Sequence, residues 1–307
     1  MILAPILVFC YNRINHLQNV VNSLLANEEA SQSDLIIYSD GPKGEKDISA
    51  VGTVREYIGS LSGFKSVKVV EQAKNLGLAN SVILGVTEVV NKYGKVIVVE
   101  DDMQVAPYFL RFMNDGLNKY QDDSNVACIC GYLYPVKEAV PDTFFIYGAD
   151  CGAWATWKDQ WALFEPDGQK IMNDLIAKKL SWKFDFDGSF PYTRMLEDQI
   201  AARNNSWAIR WYGSAFLKNK LTLYPGKSLA QDIGFDNSGT HCSNDNSHDV
   251  DLYLGPIEIK NIPVEQSKQG HDAFKKFFFT LKKWTGFKFI RKRFKQRLRY
   301  LLTNKIT

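Results

Sequence analysis

The sequence predicts an α/β protein with a mostly parallel central sheet flanked by helices. Over the first hundred residues, apolar runs of strand length alternate with segments of helical apolar spacing, and polar turns separate them. Such alternation is typical of βαβ units, whose ligand crevice lies at the carboxyl ends of parallel strands. One run, Lys95–Val99, is apolar and β-branched and leads directly into Glu100, Asp101 and Asp102.

Composition and charge divide the chain into a large body and a basic end. The 307 residues are 45% hydrophobic, enough for one large domain with a smaller appendage. Residues 271–307 carry 12 Lys and Arg against one acid, or +11, so residues 1–270 carry −8 of the net charge of +3. We divide the chain into a ligand-binding half (1–105), a second half of the same domain (106–265) and a basic tail (271–307).

The cysteines and the hydropathy pattern bear on the compartment. Five cysteines without a Cys-x-x-Cys pair favour a reducing environment, and no apolar run is long enough to span a bilayer. We therefore expect a cytoplasmic protein with at most peripheral contact to the inner face of the membrane.

The apolar patterns predict individual elements. In the first half, the predicted strands are 6–10, 35–38, 67–70 and 95–99, and the predicted helices are 16–26, 48–60 and 78–91. Beyond it, helices are predicted at 106–119, 158–164 and 169–178, strands at 126–130 and 144–147, and short strand-like runs at 207–211 and 214–217.

Polar side chains follow each of the first four predicted strands. Arg13, Asp40, Asn75 and the acids 100–102 all fall at carboxyl ends. Three adjacent carboxylates repel one another unless a cation neutralises them, and oxygen ligands suit Mg²⁺ or Mn²⁺. A solvated turn is the alternative explanation for the acids.

Together, these positions suit a nucleotide, with Asp40 on the base or ribose and a cation at the phosphates. The glycine motifs of dinucleotide and P-loop sites are missing from the sequence.

Two later features have both a structural and a functional explanation. Trp154 and Trp157, close to glycine and alanine, are either core residues or a wall for a sugar ring. Glu197 and Asp198 lie just before a helix predicted near Ile200, or in its first turn. Acids in that position stabilise the helix N-terminus, but such a pair is also what a general base would look like.

The basic end has the pattern of an amphipathic helix. Between residues 274 and 302, aromatic and aliphatic residues recur every three or four positions, and Lys and Arg fill the positions between them. We favour binding to an anionic membrane surface over a helix docked on the domain with a solvated basic face. Nucleic acid is not expected as a partner, because no nucleic-acid-binding motif is present.

Several segments carry a family resemblance in chain order. Residues 98–107 resemble the acid motif of GT-A fold glycosyltransferases, which have a Rossmann-like sheet, and residues 152–154, 161–166 and 233–241 resemble later segments. The likeness covers roughly residues 5–245 and points more narrowly to the inverting N-acetylglucosaminyltransferase I type and its bacterial relatives.

The resemblance implies roles at the donor. It implies that Asp102 ligates a divalent metal, Mn²⁺ or Mg²⁺, which bridges the donor's diphosphate. Glu100 and Asp101 would then contact ribose or sugar, while Arg13 and Asp40 match nucleotide-contacting positions.

Further residues complete the expected nucleotide-sugar site. Asn75 and Trp154 are included in it, and the loop containing Ser238, Gly239 and His241 matches a segment that closes over the donor.

For the chemistry, the resemblance implies an inverting, metal-dependent transfer from a nucleotide-diphosphate sugar, expected to be UDP-linked, to a glycan or lipid-linked hydroxyl. Asp198 is the expected base, and Glu197 takes that place in the other alignment register. The competing functions are a nucleotidyltransferase and a membrane-associated protein that binds nucleotide sugars without catalysis.

Overall fold

The computed structural model describes residues 2–234, 246–281 and 297 and confirms the predicted α/β fold. Its strands are β1 (Ile6–Cys10), β2 (Asp34–Ser39), β3 (Ser66–Glu71), β4 (Lys95–Glu100), β5 (Met103–Val105), β6 (Val126–Cys130), β7 (Thr143–Tyr147), β8 (Trp154–Trp157), β9 (Leu221–Pro225) and β10 (Ala230–Asp232). Its helices are α1 (Ile14–Leu25), α2 (Glu45–Gly59), α3 (Leu78–Tyr93), α4 (Phe109–Lys119), α5 (Lys158–Trp161), α6 (Gly168–Ala177), α7 (Ser181–Phe184), α8 (Tyr192–Ile200), α9 (Trp207–Leu217) and α10 (Lys268–Thr280).

Eight strands form one mixed sheet in the order β3-β2-β1-β4-β8-β6-β9-β7, and β10 pairs with β5 in a small second sheet. The first four strands in this order are parallel. β8 is antiparallel to both β4 and β6, whereas β9 is parallel to β6 and β7 is antiparallel to β9. Strands from both halves of the chain therefore share one sheet, and β8 joins them at its centre.

Both faces of this sheet are covered. In β1, Ile6 and Val8 face the core that contains α1 and α4, while Leu7 and Phe9 face the core that contains α3 and α9. All five residues of β1 are buried. This two-sided burial explains why the strands read as continuous apolar runs rather than as an alternating pattern.

The prediction of two short strands at 207–211 and 214–217 is wrong. These residues form the single helix α9, and the side chain of Ser206 caps its start by accepting a hydrogen bond from the Ile209 amide at 3.2 Å. Most of this helix is buried, including Trp207, Trp211 and Ala215. Because an almost fully buried helix has no polar face, its short apolar runs cannot be distinguished from strands by periodicity.

The basic tail begins as a docked helix. Phe274, Phe277 and Phe278 of α10 are 0%, 7% and 2% exposed and pack in the main core. For these residues the structure therefore supports the alternative, a helix docked on the domain, over binding to a membrane surface. Residues 282–296 and 298–307 of the tail lie outside the described residues. None of the helices described here is long and apolar enough to cross a bilayer.

Helix α10 also brings a histidine into contact with the turn that follows α7. The His271 ring stacks on Phe186 with a centroid distance of 4.4 Å, and its Nε2 lies 3.8 Å from Asp187 Oδ2. Burial lowers the pKa of His271, Asp187 opposes this effect, and Lys183 and Lys275 reinforce it. The Asp272 carboxylate beside His271 also favours the cation.

We predict that His271 destabilises the fold in mild acid. Its pKa is lower in the folded than in the unfolded chain, where it is about 6.5, so protons bind the unfolded state more strongly and stability is lost as the pH falls below about 6.5. In His271→Phe, the fall in melting temperature between pH 7.5 and pH 5.5 should be smaller than in the wild type. Equal falls in both proteins would contradict this prediction.

Candidate active site

The three acids lie at the end of β4 in buried surroundings. Residues 96–99 of β4 are fully buried, and Glu100 pairs with Phe9 of β1. Asp101 is 6% exposed, and Asp102 connects the turn to β5. A freely solvated turn would leave these side chains in water, so the alternative explanation for the acids does not hold.

A single arginine bridges two of the acids. Arg13 follows β1, the neighbour of β4, and one of its Nη atoms donates to Asp101 and, at 2.8 Å, to Asp102 Oδ2. The other Nη atom is buried and has no hydrogen-bond partner among the described residues. The three side chains are only 8–19% exposed. This arginine therefore compensates part of the negative charge at the site and keeps one donor free.

A fourth carboxylate, which the sequence reasoning missed, belongs to this cluster. Asp232 lies on β10 opposite Met103 of β5. Burial, and then the charge of Asp102, raises the pKa of Asp232 to about 6. In the sequence, Asp232 stands just before the predicted donor loop, and no local pattern identifies it as a site residue.

The cluster holds more negative charge than its arginine neutralises. Burial raises the pKa of Glu100 well above its usual range, and the charges of Asp102, Asp101 and Asp232 raise it further. Burial also raises the pKa of Asp101 to about 6, although Arg13 opposes this shift. These shifts mean that the site favours binding either protons or a further cation.

The carboxylate oxygens of the cluster suit a divalent metal ion that phosphate and water oxygens also help to coordinate. Oxygen is the only donor type in the cluster, as Mg²⁺ and Mn²⁺ prefer. Within residues 2–234 and 246–281, no three Asp, Glu, His or Cys side chains converge so as to hold a metal by themselves. Mg²⁺ is usually bound by one or two carboxylates together with phosphate and water oxygens, so Asp102 with Asp232 nearby meets that requirement.

Asp40 and Asn75 lie at the same edge of the sheet and join two turns. Asp40 Oδ1 accepts hydrogen bonds from the amides of Gly41 and Leu76 at 2.9 and 2.8 Å, and its Oδ2 accepts one from Gly77 at 2.9 Å. Asn75 Nδ2 donates to the Gly41 carbonyl oxygen at 2.9 Å. In this structure, both side chains set the shape of the turns after β2 and β3, and their nucleotide contacts remain a prediction.

The prediction that Trp154 forms a wall for a sugar ring is wrong. Its side chain is fully buried, with ring centroids 5.5 Å from Trp207, 5.8 Å from Trp161 and 6.1 Å from Trp211. Four indoles packed together form part of the core beneath the sheet. Packing in the core, rather than contact with a ligand, therefore explains the tryptophan at position 154.

Contrary to the prediction, Glu197 and Asp198 lie neither before a helix nor in its first turn. They lie in the second half of α8, which packs against α6, α7 and α9. Asp198 Oδ1 accepts a hydrogen bond from Arg203 Nε at 2.7 Å, and its Oδ2 lies 3.9 Å from Arg194 Nε. Among the described residues, the hydrogen bonds and ion pairs of the Asp198 side chain join it to these arginines and not to the acid cluster.

A different carboxylate, Asp150, lies at the sheet edge where β4 ends on the acid cluster. The sequence did not single it out. β8 is antiparallel to β4, with Trp154 opposite Val98, so the residues just before Trp154 lie where β4 reaches Glu100. Asp150 Oδ2 accepts hydrogen bonds from the hydroxyls of Tyr224 and Tyr134, and its Oδ1 accepts one from the amide of Cys151. Its sequence signal was a lone acid between the strand at 144–147 and Gly152.

Electrostatic effects connect Asp150 with the acid cluster. Burial raises the pKa of Tyr132, and the charges of Asp150 and Asp232 raise it further. Burial also raises the pKa of Cys151, followed by the charges of Asp150 and Glu100. Tyr132 therefore lies close enough to feel the charges of both Asp150 and Asp232, and Cys151 those of both Asp150 and Glu100.

The predicted donor loop, with Ser238, Gly239 and His241, lies outside the described residues. Its flanks border the site: a Cβ on Gly234 would approach Asp102 Oδ2 to 2.7 Å, and the Tyr132 hydroxyl donates to the His248 carbonyl oxygen at 2.7 Å. The last described residue before the loop, Gly234, thus lies beside Asp102, and His248, shortly after the loop, contacts Tyr132.

Comparison with known proteins identifies the family. The model of glycosyl transferase family 2 matches residues 6–179, more than half of the chain, so this protein belongs to that family and is a glycosyltransferase with a GT-A fold. No curated protein sequence matches the chain.

Solved structures show distant likenesses. A mannosyltransferase from Pyrobaculum calidifontis, solved with GDP-Man and Mn²⁺, is 13% identical over 50% of this chain and 44% of its own, with a TM-score of 0.33. S. aureus TarS is 13% identical over 53% of this chain and 48% of its own, with a TM-score of 0.34. The chain thus covers less than half the length of each, and similarities this distant say nothing about its substrate.

We predict that Arg13 stabilises the ligand-free protein. Arg13→Met leaves the buried Asp101 and Asp102 without their counter-ion, which should lower the free energy of unfolding by about 3 kcal/mol at pH 7.5. Chemical denaturation measures this change. The matched control is Arg203→Met, because Arg203 is 62% exposed in its pair with Asp198 and its loss should cost less than about 1 kcal/mol. Similar losses in the two variants would contradict the assignment.

Proposed function

We propose that this glycosyltransferase moves a hexosyl or N-acetylhexosaminyl group from a nucleotide-diphosphate sugar, UDP-linked, to a hydroxyl of a glycan or lipid-linked acceptor, with inversion of configuration. The observation that carries the proposal is the excess of buried carboxylates at the end of β4, which lies at the same sheet edge as Asp150. The motif order that resembles the N-acetylglucosaminyltransferase I type supports the same chemistry.

The donor's diphosphate needs positive charge at this site. Carboxylates repel phosphates, so Asp102 and Asp232 bind a diphosphate only through a cation that they hold. A bound Mn²⁺ or Mg²⁺ would supply the charge that stabilises the departing diphosphate. The unpartnered Nη of Arg13 offers a hydrogen-bond donor next to that position.

Asp150 is the proposed general base. Its carboxylate accepts the proton of the acceptor hydroxyl as that oxygen forms a bond to the anomeric carbon. The bond from the anomeric carbon to the diphosphate oxygen breaks at the same time, and the nucleoside diphosphate leaves with the electron pair. One displacement from the opposite face inverts the configuration.

Asp150 is preferred over Asp198 because of their surroundings. The hydrogen-bond partners of the Asp150 carboxylate among the described residues are two neutral hydroxyls and one amide, and no cation is among them. Asp198 is paired with Arg194 and Arg203, and these ion pairs suit a structural role at the end of α8.

The compartment is part of the proposal. We place the protein in the cytoplasm, at the inner face of the membrane, where residues beyond Leu281 would supply charge for anionic lipids. The support is the basic composition of that segment.

The first experiment compares the two candidate bases. Asp150→Asn keeps the size and planar shape of the side chain but cannot take a proton, so transfer should fall by about 10²- to 10⁴-fold. Donor affinity, measured by calorimetry, should be unchanged. Asp198→Asn is the matched control and should keep near wild-type transfer. Loss of transfer in Asp198→Asn with activity in Asp150→Asn would return the role to Asp198.

The second experiment tests the donor class and the metal. A panel of nucleotide sugars, with and without Mn²⁺, should reveal one donor that is hydrolysed or transferred only with the metal. Asp102→Ala should lose Mn²⁺-dependent nucleotide binding, whereas Asp122→Ala, an exposed acid outside the site, should not.

The same panel separates the alternatives. Binding of a donor without any turnover would favour the non-catalytic protein. A further reaction with a nucleoside triphosphate and a sugar phosphate is added to the panel, and release of pyrophosphate from it would favour a nucleotidyltransferase. Metal-independent transfer would contradict the role of Asp102.

A further inference from the structure

The proposed base is held by two tyrosines. The Tyr224 hydroxyl donates to Asp150 Oδ2 at 2.8 Å, and the Tyr134 hydroxyl donates to the same oxygen at 3.2 Å. Asp150 Oδ1 accepts a hydrogen bond only from the Cys151 amide, at 2.7 Å, among the described residues. Because each carboxylate oxygen accepts about two hydrogen bonds, Oδ2 is saturated and Oδ1 has room for one more donor.

One side chain of α10 touches both of these tyrosines. Phe274 packs edge-to-face against Tyr134 at a centroid distance of 5.0 Å and against Tyr224 at 5.1 Å. It is fully buried. Edge-to-face pairs are directional and contribute beyond the area that they bury, so Phe274 restrains the orientation of both rings.

Tyr134 depends on α10 more than Tyr224 does. Tyr224 is anchored by the backbone of β9, whereas Tyr134 lies between β6 and β7 outside any strand or helix. Its ring contacts Phe277 at 5.6 Å and Phe278 at 5.1 Å in addition to Phe274. Packing against α10 therefore takes the place of backbone pairing in positioning this hydroxyl.

We propose that Phe274 of α10 is a positioning residue: it holds the hydroxyls of Tyr134 and Tyr224 on Asp150 Oδ2 and thereby presents Oδ1 to the acceptor hydroxyl. This inference rests on the proposed role of Asp150. It gives the start of the C-terminal segment a function in the transfer step itself. Burial of Phe274 in the core would not by itself require contact with both tyrosines.

The experiment measures kcat, the KM for the donor and the melting temperature in the full-length protein. Tyr134→Phe/Tyr224→Phe keeps both rings and removes both hydroxyls, so kcat should fall by about tenfold or more while the donor KM stays within about twofold, because misorientation affects the transition state and not donor binding. Phe274→Leu should produce the same pattern. The control is Phe279→Leu, a residue of the same helix that is 46% exposed, and its kcat should equal that of the wild type.

The decisive measurement combines the variants. If Phe274 acts through the hydroxyls, Phe274→Leu causes no further fall in kcat once both tyrosines are phenylalanine. A purely structural role predicts the same fractional fall in both backgrounds, and that result would overturn the proposal. If Phe274→Leu fails to fold, Phe277→Leu serves in its place, and its effect should disappear in the Tyr134→Phe background.

Asp150→Asn distinguishes the failure of this inference from the failure of the proposed function. Severe loss of transfer in Asp150→Asn, together with wild-type kcat in Tyr134→Phe/Tyr224→Phe, would overturn the role of α10 and leave the base assignment intact. Wild-type transfer in Asp150→Asn would overturn both.

Discussion

The repulsion among buried carboxylates at the end of β4 is the constraint on which the site depends. Glu100, Asp101, Asp102 and Asp232 share one edge of the molecule, and burial together with their mutual repulsion raises the pKa of three of them. Such an arrangement is unfavourable for folding unless something compensates it. Arg13 provides partial compensation in the protein alone, and a donor with its cation would complete it. In the proposed function, binding of the donor and its cation offsets this cost in stability.

The topology places the proposed general base, Asp150, at the same sheet edge as this cluster. β8 enters the sheet antiparallel to both of its neighbours, so its first residues lie where β4 and β6 end. Asp150 therefore reaches the edge that the parallel strands had already defined. Tyr134, Tyr224 and α10 then surround that carboxylate with aromatic rings and hydroxyls. The donor side is built from local βα units, while the proposed acceptor side is assembled from distant segments.

Local patterns account for what could be predicted. The strands from Ile6 to Glu100 and the helices between them were recognised because each has a continuous apolar run or a 3.6-residue period, and β1 matches its predicted bounds. Arg13 and the acids were expected to meet because parallel strands share a carboxyl edge. By contrast, α9 was predicted as strands because its burial removes the polar face that would reveal its period. Trp154 carried no local sign of which side of the sheet its ring would occupy.

By itself, the sequence determined the α/β class, the first four strands and the edge at which Arg13, Asp40, Asn75 and the three acids gather, because these depend on short-range periodicity and on a general rule of parallel sheets. Only the tertiary structure decided that Asp150 and Asp232 join that edge, and that α10 packs against the tyrosines of the proposed base. Those contacts join residues far apart in the chain, and pairing of that kind leaves no periodic trace in the sequence.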